Sequence, residues 1–188
     1  MGCSSSIPKP KTECKGFKEI KEELQENFGA QTGLTEAEKI IVKSTWKYMT
    51  TDIADNGLQI FLRIFDLCPE AKELFKVENV RHSELARNPL LKVHGARFMN
   101  GIAAAIDSLN ETNCYQDELG NILFVLGQRH KNSSGFRPEY FEVFYRALMW
   151  RWEFCMGEYF TAEVSKTWSH VFLYMMEKLK EGYLSPET

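Results

Sequence analysis

His94 and His130 are the residues of this chain whose type and setting point most directly to chemistry. Leu91, His94, Phe98, Ile102, Ala105, Ile106 and Leu109 recur at helical spacing, so His94 points along an apolar face. Leu119, Leu123 and Leu126 lead in the same way to His130, in the last turn before a Ser/Gly loop. Two imidazoles on inward faces of separate helices can approach one metal from opposite sides, and neutral imidazole is a common ligand of transition metals. A single inward histidine is more often a hydrogen-bonded core residue; the pair is what argues for a metal. His82, in a polar stretch, and His170, between Trp168 and Phe172, have no such counterpart and read as structural.

The elements that must position this pair are all helical. Thr35 stands three residues before Glu38, a capping signal that opens a helix over Leu34 to Met49 with Ile40, Ile41, Val42 and Trp46 as apolar positions. A second helix is expected from about Ile53 to Leu67, with Gly57 near its start, where a missing side chain permits a close helix crossing. Cys68-Pro69 ends it and begins a short helical turn that closes at Phe75. Lys76 to Asn88 reads as a polar connector, and Pro89 opens the His94 helix. Asn110 to Asn113 form a loop, the His130 helix follows, and Pro138 to Met156 and Phe160 to Gly182 are two long aromatic-rich helices. No segment has the alternation of a strand, so the fold class is all-α, with crossed helices rather than a heptad bundle.

Composition removes several function classes. At 188 residues with 44% hydrophobic and 13% aromatic content, the chain can bury a core without disulfides or metal staples. A net charge of −3 gives no electrostatic case for nucleic acid. No apolar run approaches the ~20 residues of a membrane-spanning helix. The 5 cysteines, Cys3, Cys14, Cys68, Cys114 and Cys155, form no CxxC and no zinc spacing, and their odd number without a secretory signal argues for reduced thiols in the cytosol. That setting disfavours a Cys68 to Cys114 disulfide.

The extreme N-terminus carries a separate signal. MGCSSS matches the myristoylation pattern: loss of Met1 exposes Gly2, Ser6 fills the hydroxyl position, and Cys3 is placed for palmitoylation. One myristoyl chain binds a membrane only marginally, so the neighbouring thiol and the lysines at 9, 11, 15 and 18 matter to a stable anchor. Residues 1–33 are therefore expected to be an acylated flexible leader, 34–182 the packed domain and 183–188 a short tail.

These residues resemble one family, the globins. Gly57 to Phe65, then Cys68-Pro69-Glu70 and Leu74-Phe75, are similar to the globin B helix, the proline of the C helix and the phenylalanine that packs on the porphyrin. Leu91-Lys92-Val93-His94-Gly95 resembles the distal-histidine segment and Leu126-Gly127-Gln128-Arg129-His130 the proximal one. Trp46 and Trp168 fall where many globins carry tryptophans in the first and last helices. The MGC start and the LGxxH segment most resemble the membrane-anchored globin X group and its neuroglobin-like relatives. Phe98 departs from the family, which commonly has a small aliphatic residue one turn after the distal histidine, and Phe61 is bulky where leucine is frequent.

The resemblance implies a globin fold around a haem b, bound non-covalently since no CxxCH is present. His130 would be the proximal iron ligand and His94 the distal one, with a hydrogen bond from the second ring nitrogen of His130 to the upstream turn at Leu126. Phe75, Phe61, Phe98, Leu126, Phe136 and Phe141 would wall the porphyrin, and Arg97, with Arg129 or Lys131 at the edge, would pair propionates. The implied function is binding of O2, NO or CO at a His-Fe-His hexacoordinate iron, with a redox or signalling role such as nitrite reduction or electron transfer from an unidentified donor, at the cytosolic face of a membrane, expected to be the plasma membrane. The alternatives are an oxygen storage or transport globin and, from another class, a haem-free acylated helical adaptor.

Overall fold

The computed structural model describes residues 34–108 and 115–186, and every regular element among them is helical. The leader with Gly2 and Cys3, the loop at Asn110 to Asn113, and Cys114 lie outside the described residues.

The first helix, α1 (Glu36–Trp46), starts where the capping signal put it. Thr35 Oγ1 accepts from the Glu38 amide at 3.2 Å while Glu38 accepts from the Thr35 amide at 2.8 Å, so two otherwise orphaned donors are satisfied reciprocally. In α2 (Ile53–Leu67), Asp52 caps the start by accepting from the Asp55 amide, and the helix ends at Cys68 because Pro69 disfavours helical backbone before it. A 3-10 helix over Pro69–Phe75 follows. Lys76 stops it in the left-handed region at φ 55°.

The polar-connector reading of Lys76 to Asn88 needs correction. It contains a short helix, α3 (His82–Leu85), and it buries Val77 and Leu85. Val77, Val80 and Leu85 are too few and too unevenly spaced to show a period, yet they tie the segment to the core. Helix α4 (Pro89–Ser108) then begins with Asn88 Oδ1 accepting from the amides of Leu90 and Leu91. After it come α5 (Tyr115–Lys131), α6 (Tyr140–Met156) and α7 (Ala162–Leu184), the last capped by Thr161.

The core runs through α1, α2, α4, α6 and α7, and its tryptophans gather where α1, α6 and α7 meet. Trp46 and Trp168, expected in the first and last helices, meet Trp152 of α6: the Trp152 and Trp168 rings lie 5.2 Å apart edge to face, and Phe172 packs on both. Trp168 Nε1 donates to Thr45 Oγ1 at 3.0 Å, which satisfies a buried donor and fixes α7 on α1. His170, read as structural, is so: its Nδ1 bonds Glu38 at 2.9 Å across the same two helices. Exposed His82 lies 3.5 Å from Asp66. Cys68 and Cys155 are free thiols.

Two crossings hold the histidine-bearing helices. Gly57 of α2 meets Gly95 of α4 so closely that a Cβ on Gly95 would lie 2.5 Å from the Gly57 carbonyl carbon. Gly127 of α5 meets the backbone of α7 at Leu179, and Gly182 of α7 meets Phe124 of α5; a Cβ at either would overlap a carbonyl oxygen. At both crossings hydrogen is the only side chain that fits.

Candidate functional site

His94 is the residue immediately before Gly95, and His130 comes three residues after Gly127, so each histidine is fixed near the tightest point of its helix's packing. His94 lines the cleft and is exposed there, with two aromatic rings against it. Phe61 lies 4.9 Å away and Phe75 5.4 Å away, both edge to face. Burial against these rings is the first reason the His94 pKa falls below the ordinary imidazole value, and the nearby His130 and Arg97 depress it further. The ring is therefore neutral at pH 7 and carries a lone pair that a metal can take.

His130 Nδ1 lies 2.7 Å from the Leu126 carbonyl, the bond expected from the sequence. A carbonyl only accepts, so the proton is on Nδ1 and Nε2 keeps a free lone pair. Phe136 and Phe141 flank the ring at 4.8 and 5.8 Å. Phe136 reaches it because Gly135, at φ 83°, turns the chain back after α5.

The stripe leading to His130 splits into two faces, with Leu126 on the histidine's side. Leu119 and Leu123 continue to Gly127 and pack towards α7, while Ile122, Leu126 and His130 recur every fourth residue on the adjoining face. The Leu126 side chain is accordingly 40% exposed, and its carbonyl is what the histidine uses. Lys131 is also reassigned: its Nζ donates to the Ser185 carbonyl at 2.8 Å, so it ties α5 to the end of α7. Arg129 is exposed.

On the α4 side a cleft of about 290 Å³ is lined by Phe75, Val77, Asn88, Leu90, Leu91, Val93, His94 and Arg97. Arg97 thus stands at its mouth, next to the distal imidazole. Phe98 does not reach His94's aromatic wall directly; it packs at 4.7 Å on Phe144, which in turn neighbours Phe61 at 6.3 Å. Phe144 was missed in the sequence because it falls one helical turn after Phe141 in a helix with aromatic residues all round. Val77 and Leu90 were hidden in stretches read as polar or as a helix start.

The donor set decides what such a cleft can hold. Among the described residues no three His, Cys, Asp or Glu side chains converge into a metal site, so a metal bound by His94 and His130 must bring its remaining ligands with it. A cleft lined by Phe75, aliphatic side chains, one imidazole and a guanidinium, with the second imidazole near enough to His94 to depress its pKa, fits a flat, mostly apolar metal-carrying group with an anionic edge.

Comparison with known proteins agrees. The profile of the family described as Globin matches residues 58–179. The chain is 27% identical to cytoglobin-2 of Danio rerio over 81% of this chain and 84% of that protein. It is 23% identical to the neuroglobin of Tetraodon nigroviridis over 80% and 92% of the two chains. A protein named anaerobic nitrite reductase AHB2, from Arabidopsis thaliana, is 28% identical over 80% of this chain and 94% of its own. Among solved structures, a hexacoordinated heme protein from an anhydrobiotic tardigrade superposes with a TM-score of 0.73 at 20% identity, covering 85% of this chain and 99% of that one, a likeness of fold.

Proposed function

The chain belongs to the globin family, and on that premise we propose that it binds haem b non-covalently between α4 and α5, with His130 as proximal and His94 as distal iron ligand. The observation that carries this reading is the bond from His130 Nδ1 to the Leu126 carbonyl, since it leaves Nε2 oriented and unprotonated as a ligand should be. Bound haem would supply an iron centre that takes diatomic gases and exchanges one electron.

The chain's own residues do the rest. Phe61 and Phe75 hold the His94 ring edge-on, so it competes with external ligands as an internal one. Phe98 and Phe144 fill the space behind it and keep water out. Arg97 at the mouth can pair a propionate. Phe136 and Phe141 set the proximal ring. A distal histidine that must leave before a gas can bind favours redox or signalling chemistry, including reduction of nitrite with electrons from a donor protein, over bulk oxygen storage. The names of the relatives, cytoglobin, neuroglobin and anaerobic nitrite reductase, support that class. The N-terminal MGC sequence supports a lipid-anchored protein at the cytosolic face of the plasma membrane, through myristoyl at Gly2 and palmitoyl at Cys3.

The test is the absorption spectrum of the purified ferrous protein with and without carbon monoxide, repeated on His130→Ala. Haem lost or displaced in the variant supports the assignment; an unchanged Soret band at full occupancy refutes it. A colourless wild-type protein would leave the haem-free adaptor.

A further inference from the structure

The start of α4 turns apolar side chains outward at the rim of the cleft. Leu90 is 75% exposed and Val93 49% exposed, and with Arg97 they recur at helical spacing on the outward side of the helix, along the rim of the cleft. Lys92 flanks them and Arg87 precedes them, both exposed. From Leu85 to Ile106 the sequence holds Arg87, Lys92 and Arg97 and no acidic residue, in a chain whose net charge is −3. Among the described residues no ion pair engages Arg87 or Lys92, the two cations that the group proposed for the cleft does not use. Other cations nearby are answered differently: Arg81 pairs with Glu84 and Arg137 with Glu70.

We infer that this rim is a docking face for an anionic lipid surface, which turns the mouth of the distal cleft towards the bilayer. Aliphatic side chains that stand out singly between unpaired cations suit a headgroup layer, where the apolar groups enter the acyl boundary and the cations meet phosphates. An acidic protein would satisfy the charges but would need a concave apolar partner for Leu90 and Val93, which project from a convex helix. The inference rests on the lipid-anchor reading for its address. The proposed acyl sites, Gly2 and Cys3, lie some thirty residues before the packed domain, so the face that meets the bilayer is sought on the domain itself. With the cleft mouth against lipid, apolar gases dissolved in the acyl phase reach the site without crossing bulk water.

The experiment uses the full-length haem-loaded chain carrying Gly2→Ala, so that acylation plays no part, sedimented with vesicles of phosphatidylcholine alone or mixed with phosphatidylserine. Binding is expected only to the mixed vesicles, with hydrogen-exchange protection gained over residues 86–98. Leu90→Ser with Val93→Ser, which changes no charge and leaves the leader's lysines in place, should weaken it by about tenfold or more. Arg87→Gln with Lys92→Gln should weaken it comparably and steepen no salt dependence. Binding unaffected by the Leu90 and Val93 changes overturns the proposal, as does protection confined to other helices. Equal affinity for soluble polyglutamate, lost only with the cations, would overturn it in favour of an acidic protein partner. Failure of the anchor reading is seen separately, in cells, as membrane residence that does not depend on Gly2.

Discussion

Gly57 and Gly95 lie backbone to backbone where α2 crosses α4, and the residue beside Gly95 is His94. The crossing therefore does more than pack two helices. It sets how far the distal imidazole projects past Phe61, which is carried on α2 one turn beyond Gly57.

Gly95→Ala is expected to destabilise the protein by about 3 kcal/mol, the upper end of overpacking costs, because the obstacle is backbone and cannot rotate away. Gly101→Ala in the same helix meets nothing within 4 Å and should stabilise by about 0.5–1 kcal/mol, as expected for an exposed helical glycine. Urea melts of the two variants check this directly. Equal effects would mean that the crossing is slack.

The order of the helices, the capping at Thr35 and the helix start at Pro89 were legible in the sequence because cap residues and prolines act locally. So was the reach of His130 to Leu126, since it spans one turn of its own helix. The glycines at 95, 127 and 182 were not. Their role depends on which helix lies opposite, and nothing local to Gly127 indicates Leu179 as its neighbour. The stripe before His130 was only partly legible for a related reason: Leu119, Leu123 and Leu126 all fit a helical period, but an apolar stripe wide enough for two faces does not reveal which of them meets α7 and which lies on the side of His130.

If His94 occupies the sixth position of iron, His94→Leu should convert the ferrous spectrum from six-coordinate to five-coordinate and keep the haem. Apparent affinity for an external gas is reduced by the fraction of protein whose site is open, so removing the internal competitor should speed carbon monoxide association by at least about tenfold. Flash photolysis measures it. An identical spectrum and rate in the variant would exclude His94 as the ligand.

Glu38 predicts an acid limb in stability. Burial alone would raise its pKa, but the bonds it accepts from His170 and Thr35 outweigh that and hold it below the ordinary carboxylate value. A folded-state pKa that is depressed stabilises the protein above the unfolded carboxylate pKa, and the contribution is lost as pH falls through the folded value. Thermal melts from neutral pH down into the carboxylate range should show that loss. Glu38→Gln should cost about 1–3 kcal/mol at neutral pH and flatten the acid limb, since α1 then docks on α7 without its buried carboxylate. A variant whose melts fall as steeply with acid as the parent's would assign the limb to other groups.

Membrane residence should depend on Gly2 and Cys3 independently of haem. Myristoyl at Gly2 gives reversible contact, and palmitoyl at Cys3 converts it to retention, since two acyl signals are needed for a stable anchor. The lysines at 9, 11, 15 and 18 add attraction only to anionic leaflets and only at modest salt. Gly2→Ala should accordingly move the protein from the membrane to the soluble fraction of cells, apart from whatever weak contact the α4 rim retains, and Cys3→Ser should leave it loosely and diffusely bound. Both variants should keep the parent's haem spectrum, because the packed domain begins at Leu34 and the proposed ligands lie at His94 and His130. Fractionation of cells expressing the three forms, with spectra of the purified proteins, measures both halves. A Gly2→Ala chain that stays in the membrane pellet after a salt wash would mean that the N-terminus is not the anchor.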